Sequence, residues 1–139
     1  MKKLELTLLA FFLLFTFSCS ELTTETILPE LFNKLWVLES FEVNGRIDVP
    51  PSNQVYNIQF TEDKKFTGTN DCNSILGDFS IELKSISINN IISTEVYCGK
   101  ESLDYRYLQA LERAESYEIE LSEFIINYGI NSKLNFVAR

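Results

Sequence analysis

The sequence predicts a mainly β (α+β) domain: a curved, antiparallel, barrel-like sheet with one helix packed on it. Three observations lead there. Short segments of alternating apolar and polar residues recur along the chain, separated by turn residues. Only one segment has helical spacing of its apolar positions. Eleven Phe, six Tyr and one Trp supply large apolar side chains for a single core. A length of 139 residues fits one such domain.

The first strand is expected over Leu35–Val43, a run rich in β-formers. Asn44-Gly45 follows as a hairpin turn, because both central positions of a tight primed turn need positive φ. Pro50-Pro51 breaks the chain. Val55–Phe60 is the next strand, with Tyr56, Ile58 and Phe60 on one face and Val55, Asn57 and Gln59 on the other. A polar turn leads to a strand at Lys65–Thr69. Gly68–Gly77 reads as a Gly-bounded loop carrying Cys72, followed by a strand over Gly77–Leu83. Ile86, Ile88 and Ile91-Ile92 continue the β signal. The period then changes. Lys100–Glu115 puts Leu103, Tyr107, Leu108, Leu111 and Ala114 on one stripe, which predicts a helix. Tyr117–Leu121, Glu123–Tyr128 and Lys133–Val137 are three closing strands, with Gly129–Ser132 as a turn.

The N-terminus has a different character. Lys2 and Lys3 precede an apolar run from Leu6 to Phe17, about the length of a signal-peptide core and shorter than the roughly 20 residues of a spanning helix. Ser18-Cys19 follows, as in the bacterial lipoprotein signal, although Thr16 stands where that signal usually has Leu. Residues 1–18 are therefore expected to be a lipoprotein signal peptide, Cys19 the lipidated mature N-terminus, 19–30 a polar tether and 31–139 the domain. Plain secretion and a buried core helix are the alternatives. Cleavage would leave ten basic and nineteen acidic residues, a net charge of −9 against −8 for the full chain. Such acidity repels phosphate backbones, so no nucleic-acid partner is expected. It also disfavours peripheral binding to anionic lipid, so the membrane link is expected to be the lipid on Cys19.

An exported chain carries its remaining cysteines into an oxidising compartment. Cys72 and Cys98 are expected to form a structural disulfide closing a loop of roughly 26 residues, which would stabilise the domain by roughly 3–4 kcal/mol. Two buried free thiols are the alternative; the spacing is unlike CxxC, which argues against redox chemistry. The chain has no histidine, so Ser-His-Asp and Cys-His catalysis and His-based zinc sites are excluded. Glycine-rich nucleotide loops and nucleophile elbows are missing from the sequence as well. Asp71, Asn73 and Asp78 cluster, but without calcium-loop spacing, and read as turn formers. No metal, cofactor or catalytic residue is expected. Trp36 reads as a core residue before a ligand platform.

The motifs together resemble the META domain family, the HslJ-like heat-shock proteins of the bacterial envelope, over about Leu35 to Val137. The carriers of the resemblance are Trp36 in a first strand; Phe60 ending a strand; Gly68, Cys72, Asn73, Gly77 and Phe79 as Gly-x-x-x-Cys-Asn-x-x-x-Gly-x-aromatic; Thr94 and Cys98 as Thr-x-x-x-Cys; and Asp104, Tyr107 and Leu111 on the helix. Val96-Tyr97 stands where the family often has Met-Ala, and Asp104 where it usually has Glu. The resemblance implies a compact barrel-like β-fold in an exported protein, often a lipoprotein, with relatives linked to heat stress, novobiocin resistance and virulence and with no established enzymatic activity. Within the motif, Gly68 and Gly77 are expected to permit positive φ or close backbone approach, and Asn73 to hold its own turn. The expected function is a non-enzymatic lipoprotein of the cell envelope, lipid-anchored to the outer membrane and periplasmic or surface-facing, acting as a stress-protective or protein-interaction module with an envelope protein partner. The alternative is a lipocalin-like small-molecule binder with its cavity inside the curved sheet.

Overall fold

Among the described residues nine strands form one antiparallel sheet, and pairing of the first with the last closes it. The computed structural model describes residues 28–139. The signal segment 1–18, the lipidation site Cys19 and the tether up to residue 27 lie outside the described residues. The strands are β1 (Trp36–Val43), β2 (Arg46–Asp48), β3 (Tyr56–Phe60), β4 (Lys65–Asn70), β5 (Asn73–Glu82), β6 (Ser85–Ser93), β7 (Ala114–Glu120), β8 (Glu123–Tyr128) and β9 (Ser132–Ala138). Among the described residues two short helices accompany them, α1 (Leu28–Leu31) before β1 and α2 (Asp104–Glu112) between β6 and β7.

Eight strands make the barrel wall, in the order β1-β3-β4-β5-β6-β7-β8-β9 and back to β1. β2 is a flap that pairs with the far half of β1, from Phe41↔Asp48 to Val43↔Arg46. Its turn is Asn44-Gly45 with φ of 51° and 79°, the primed geometry expected of that dipeptide. Most of the wall follows from short links that force neighbours to be antiparallel. Two seams are thin. β1 meets β3 only at Trp36↔Ile58 and Val37↔Asn57, and β6 meets β7 only at Ser85↔Ser116. At the second seam the chain leaves β6, runs over one end of the barrel and descends as α2, which packs against β6 and β4.

Alternation along the strands sets the core. In β3 the buried positions are Tyr56, Ile58 and Phe60, and in β8 they are Phe124, Ile126 and Tyr128. Aromatic rings fill the axis. Phe124 lies 5.1 Å from Trp36 and 5.6 Å from both Phe60 and Phe136, centroid to centroid; Phe60 lies 4.8 Å from Phe79. Trp36 is wholly buried, its indole N–H donating to the Leu31 carbonyl at 3.0 Å, which makes it a core residue. α2 plugs one end with Tyr107, Ala110 and Leu111, the Tyr107 ring lying 5.3 Å from that of Tyr56.

Several boundaries differ from expectation, each for a local reason. α2 is shorter than Lys100–Glu115. Gly99 sits at φ 102°, and Leu103 is held outside the helix by its N–H, which donates to the Tyr56 hydroxyl at 2.8 Å. At the other end Ala114 and Glu115 join β7, where pairing with β8 wins over the helical stripe. The Gly68–Gly77 loop contracts to the two residues Asp71-Cys72; Asp71 takes φ 58°, and Asn70 pairs with Asn73 across the turn. Both glycines therefore lie inside strands. Residues 28–30, assigned from sequence to the tether, form one helical turn with Leu31, whose side chain is fully buried.

Candidate functional site

The family-like residues converge at one end of the barrel, around the β4–β5 turn. Cys72 lies in that turn and is disulfide-bonded to Cys98, with Cα atoms 5.5 Å apart. The bond ties the segment after β6 to the hairpin. Asn73 does the same by hydrogen bonding, and not to its own turn as expected. Its carboxamide oxygen accepts from the Val96 N–H and the Thr94 hydroxyl, both at 2.8 Å. Its amide nitrogen donates to the Val96 carbonyl at 3.0 Å and to Cys98 Sγ at 3.2 Å. The two-residue turn leaves nothing for a side chain to brace, so the buried carboxamide is spent on a segment 21 to 25 positions away.

Thr94 completes the clamp. Its hydroxyl donates to Asn73 and accepts from the Ser74 N–H at 3.1 Å, while its own N–H donates to the Ser74 carbonyl at 3.1 Å. This extends the β5–β6 ladder beyond its last pair, Ile75↔Ser93. The Cys-Asn and Thr-x-x-x-Cys pieces of the sequence are thus two halves of one clamp.

Gly68, Gly77 and Phe79 support it from within the wall. A Cβ on Gly68 would sit well inside contact distance of the Asn57 carbonyl oxygen, and 3.1 Å from its carbon. A Cβ on Gly77 would meet the Phe66 ring at 2.7 Å and the Asn89 carbonyl at 2.8 Å. Close approach, and not positive φ, is what both positions require. Phe79 is buried against Phe60. Of the other acidic residues near the motif, Asp78 is turned outward to an ion pair with Lys65 and accepts from Asn90 at 2.7 Å, which together hold its carboxyl below the ordinary carboxylate range. Asp78 therefore does not converge with Asp71 and Asn73.

A cleft of about 500 Å³ opens beside the clamp, between the segment Ser93–Tyr97 and α2. Asn70 and Asn73 form its inner wall, Glu95 and Tyr97 one rim, and Asp104, Tyr105 and Leu108 the helix side. Sequence reading missed this site. Its one advance signal was Asn70, a polar residue in phase with the buried Phe66 of the same strand. Tyr56 ties β3 to the segment that enters α2: its hydroxyl donates to Gln54 at 2.8 Å and accepts from Leu103, while Gln54 donates to the Glu101 carbonyl at 2.8 Å.

The profile of the META domain family matches residues 29–139, so the chain belongs to the META domain family. Solved structures agree on the fold. A protein from Burkholderia xenovorans determined by NMR superposes with a TM-score of 0.71 at 17% identity, covering 82% of this chain and 87% of that one. A DUF4847 family protein from Bacteroides vulgatus gives a TM-score of 0.59 at 18% identity, with coverage of 79% and 96%. A further NMR structure gives 0.60 at 20% identity, with coverage of 78% and 92%. No curated protein matches the chain.

Proposed function

We propose that this META-domain protein is a non-enzymatic, lipid-anchored component of the cell envelope that acts by docking a protein partner on the clamped end of its barrel. The observation that carries the reading is the division of labour between inside and outside. The axis is packed with aromatic side chains, whereas Val96, Tyr97 and Tyr105 present apolar surface to solvent around the clamp. A rigid, disulfide-held edge with exposed aromatic residues is what a protein interface uses. The full chain's net charge of −8 and the apolar run before Cys19 support an exported, anchored protein. A stress-protective role fits a barrel held by an oxidised cross-link.

The lipocalin-like alternative needs space within the sheet. Inward positions on β1, β3, β8 and β9 are filled by Trp36, Phe60, Phe124 and Phe136, and that favours the surface reading. Two measurements test the proposal. Mass spectrometry of the native N-terminus should find an acylated Cys19; an intact Met1 would remove the anchor. A photo-crosslinking residue at position 97, in cells producing the full chain, should capture a defined protein that the same probe at Leu121, in the β7–β8 turn, does not. Equal capture at both positions would remove the docking face.

A further inference from the structure

We infer that the cleft between Ser93–Tyr97 and α2 receives a basic side chain of the partner: a guanidinium or ammonium carried on an aliphatic stem. The inference deepens the docking reading and rests on it. It starts from Asn70. This residue lines the cleft, is only 1% exposed, and its carboxamide oxygen has no hydrogen-bond partner among the described residues. Buried acceptors are nearly always paired, so an unpaired one on a residue that lines a cleft calls for an incoming donor. Asn73, its neighbour across the turn, is fully engaged by Thr94, Val96 and Cys98, so of the two carboxamides Asn70 is the one left for a ligand.

The surroundings select the charge of that donor. Glu95 stands on one wall and Asp104 on the other, and among the described residues neither lysine nor arginine lines the cleft. Asp104 Oδ1 accepts from the Tyr105 N–H at 2.7 Å, which fixes that carboxylate at the helix start. An anion would meet two carboxylates and an acceptor. A purely apolar group would leave Asn70 unpaired. A guanidinium or ammonium donates to Asn70 and balances the carboxylates. The rim selects the stem: Tyr97 is 82% and Tyr105 70% exposed, and Leu108 lies between them and the core. Aromatic faces beside a cation and its methylenes add cation–π and apolar contact. The wall that carries Glu95 and Tyr97 is held by the disulfide and by Asn73, so little ordering is left for the moment of binding.

The test is an NMR titration of the full-length, isotope-labelled protein with blocked arginine (Nα-acetyl-arginine amide), a blocked Gly-Arg-Gly peptide, and the blocked neutral isostere citrulline. Both arginine probes should shift the Asn70 side-chain amide and the Tyr97 and Tyr105 signals in a saturable way. Citrulline should bind at least tenfold more weakly. Glu95→Gln, at an exposed position, should weaken arginine binding at least threefold without changing the melting temperature, and Tyr97→Ala should do the same. Equal binding of citrulline and arginine, shifts that map away from Asn70, or indifference to Glu95→Gln would overturn the inference. Asn70→Ala alone is not decisive, because it alters a buried position. The two readings fail separately. Capture of a partner at position 97 with no arginine response ends the basic-side-chain inference and leaves the docking face. Arginine binding in the cleft with no selective capture leaves the cation site and ends the docking face.

Discussion

Removing the cross-link tests how the clamp stabilises the barrel. Cys72 and Cys98 are 26 positions apart. In the chain-entropy model a loop of that length contributes about 3.5 kcal/mol by restricting the unfolded chain. For a domain of about 110 residues, an unfolding entropy near 0.23 kcal/mol/K turns this into a fall in Tm of about 15 °C. The variant is Cys72→Ser with Cys98→Ser, compared with the oxidised protein by thermal melting and urea titration. The hydrogen bonds of Asn73 to Thr94 and Val96 do not depend on the sulfur bond, so the folded state should keep the segment in place. Hydrogen exchange separates the two effects. The Val96 N–H, bonded to Asn73, should stay protected in the serine variant up to its lowered global stability. It should lose protection in Asn73→Ala, which removes bonds worth about 1 kcal/mol each in net terms. A loss below about 1 kcal/mol in the serine variant would refute the loop-closure argument. Loss of Val96 protection in that variant alone would show that the disulfide, and not Asn73, holds the segment.

Three further outcomes follow from individual residues. Gly68→Val should destabilise the domain by several kcal/mol or prevent folding, since its Cβ would press on the β3 backbone at Asn57; a melt within about 1 kcal/mol of the parent would show that β3 and β4 can separate there at little cost. Leu121 sits at φ 55° and is 85% exposed, so Leu121→Asn should raise stability by about 0.5–1 kcal/mol by relieving a left-handed leucine while losing no burial; an unchanged or lower urea midpoint would refute it. Asp48 accepts from Arg106 at 3.0 Å and from Arg46 at 3.1 Å, and the Arg106 bond is the main cause of its lowered pKa. Its folded pKa lies below the unfolded value, so its contribution is present above about pH 4 and is lost as pH falls through the folded pKa. Asp48→Asn should therefore melt lower than the parent at pH 7, and the gap should close at the acid end; a gap that is independent of pH would assign the effect to packing.

How much of this was legible in the sequence depends on how far apart the interacting residues are. Local alternation was enough for β3, where burial follows the expected faces residue by residue. Asn44-Gly45 was readable because its own backbone chemistry dictates the turn. Failures begin where a distant group decides. Helical spacing runs on past Arg113, and only the pairing of Ala114 with Tyr128 shows that the chain has already turned into a strand. Leu31, the first residue of the expected domain, gives no sign in its polar context that it is buried and accepts from the Trp36 indole. Closure of the sheet by β1 and β9 joins residues such as Trp36 and Ala138, and no periodicity encodes that pairing.

The same distance rule separates the clamp from the cleft. Cysteine chemistry makes a disulfide thinkable from two residues, because few other fates await a pair of thiols expected in an oxidising compartment. Nothing comparable links Asn70, Glu95 and Asp104, which lie on a strand, a connecting segment and a helix start. Each alone has a bland reading as a surface or turn residue. They become a set only when the clamp holds the segment across the hairpin and α2 is laid beside it. In this fold the residues that build the cleft and the residues that choose its occupant are therefore different: Cys72, Asn73, Thr94 and Cys98 form the clamp, while Asn70, Glu95, Tyr97, Asp104 and Tyr105 face what enters. Changing the second group should alter binding and spare the fold at the exposed positions Glu95, Tyr97 and Tyr105, whereas changing the first should cost stability before it alters recognition.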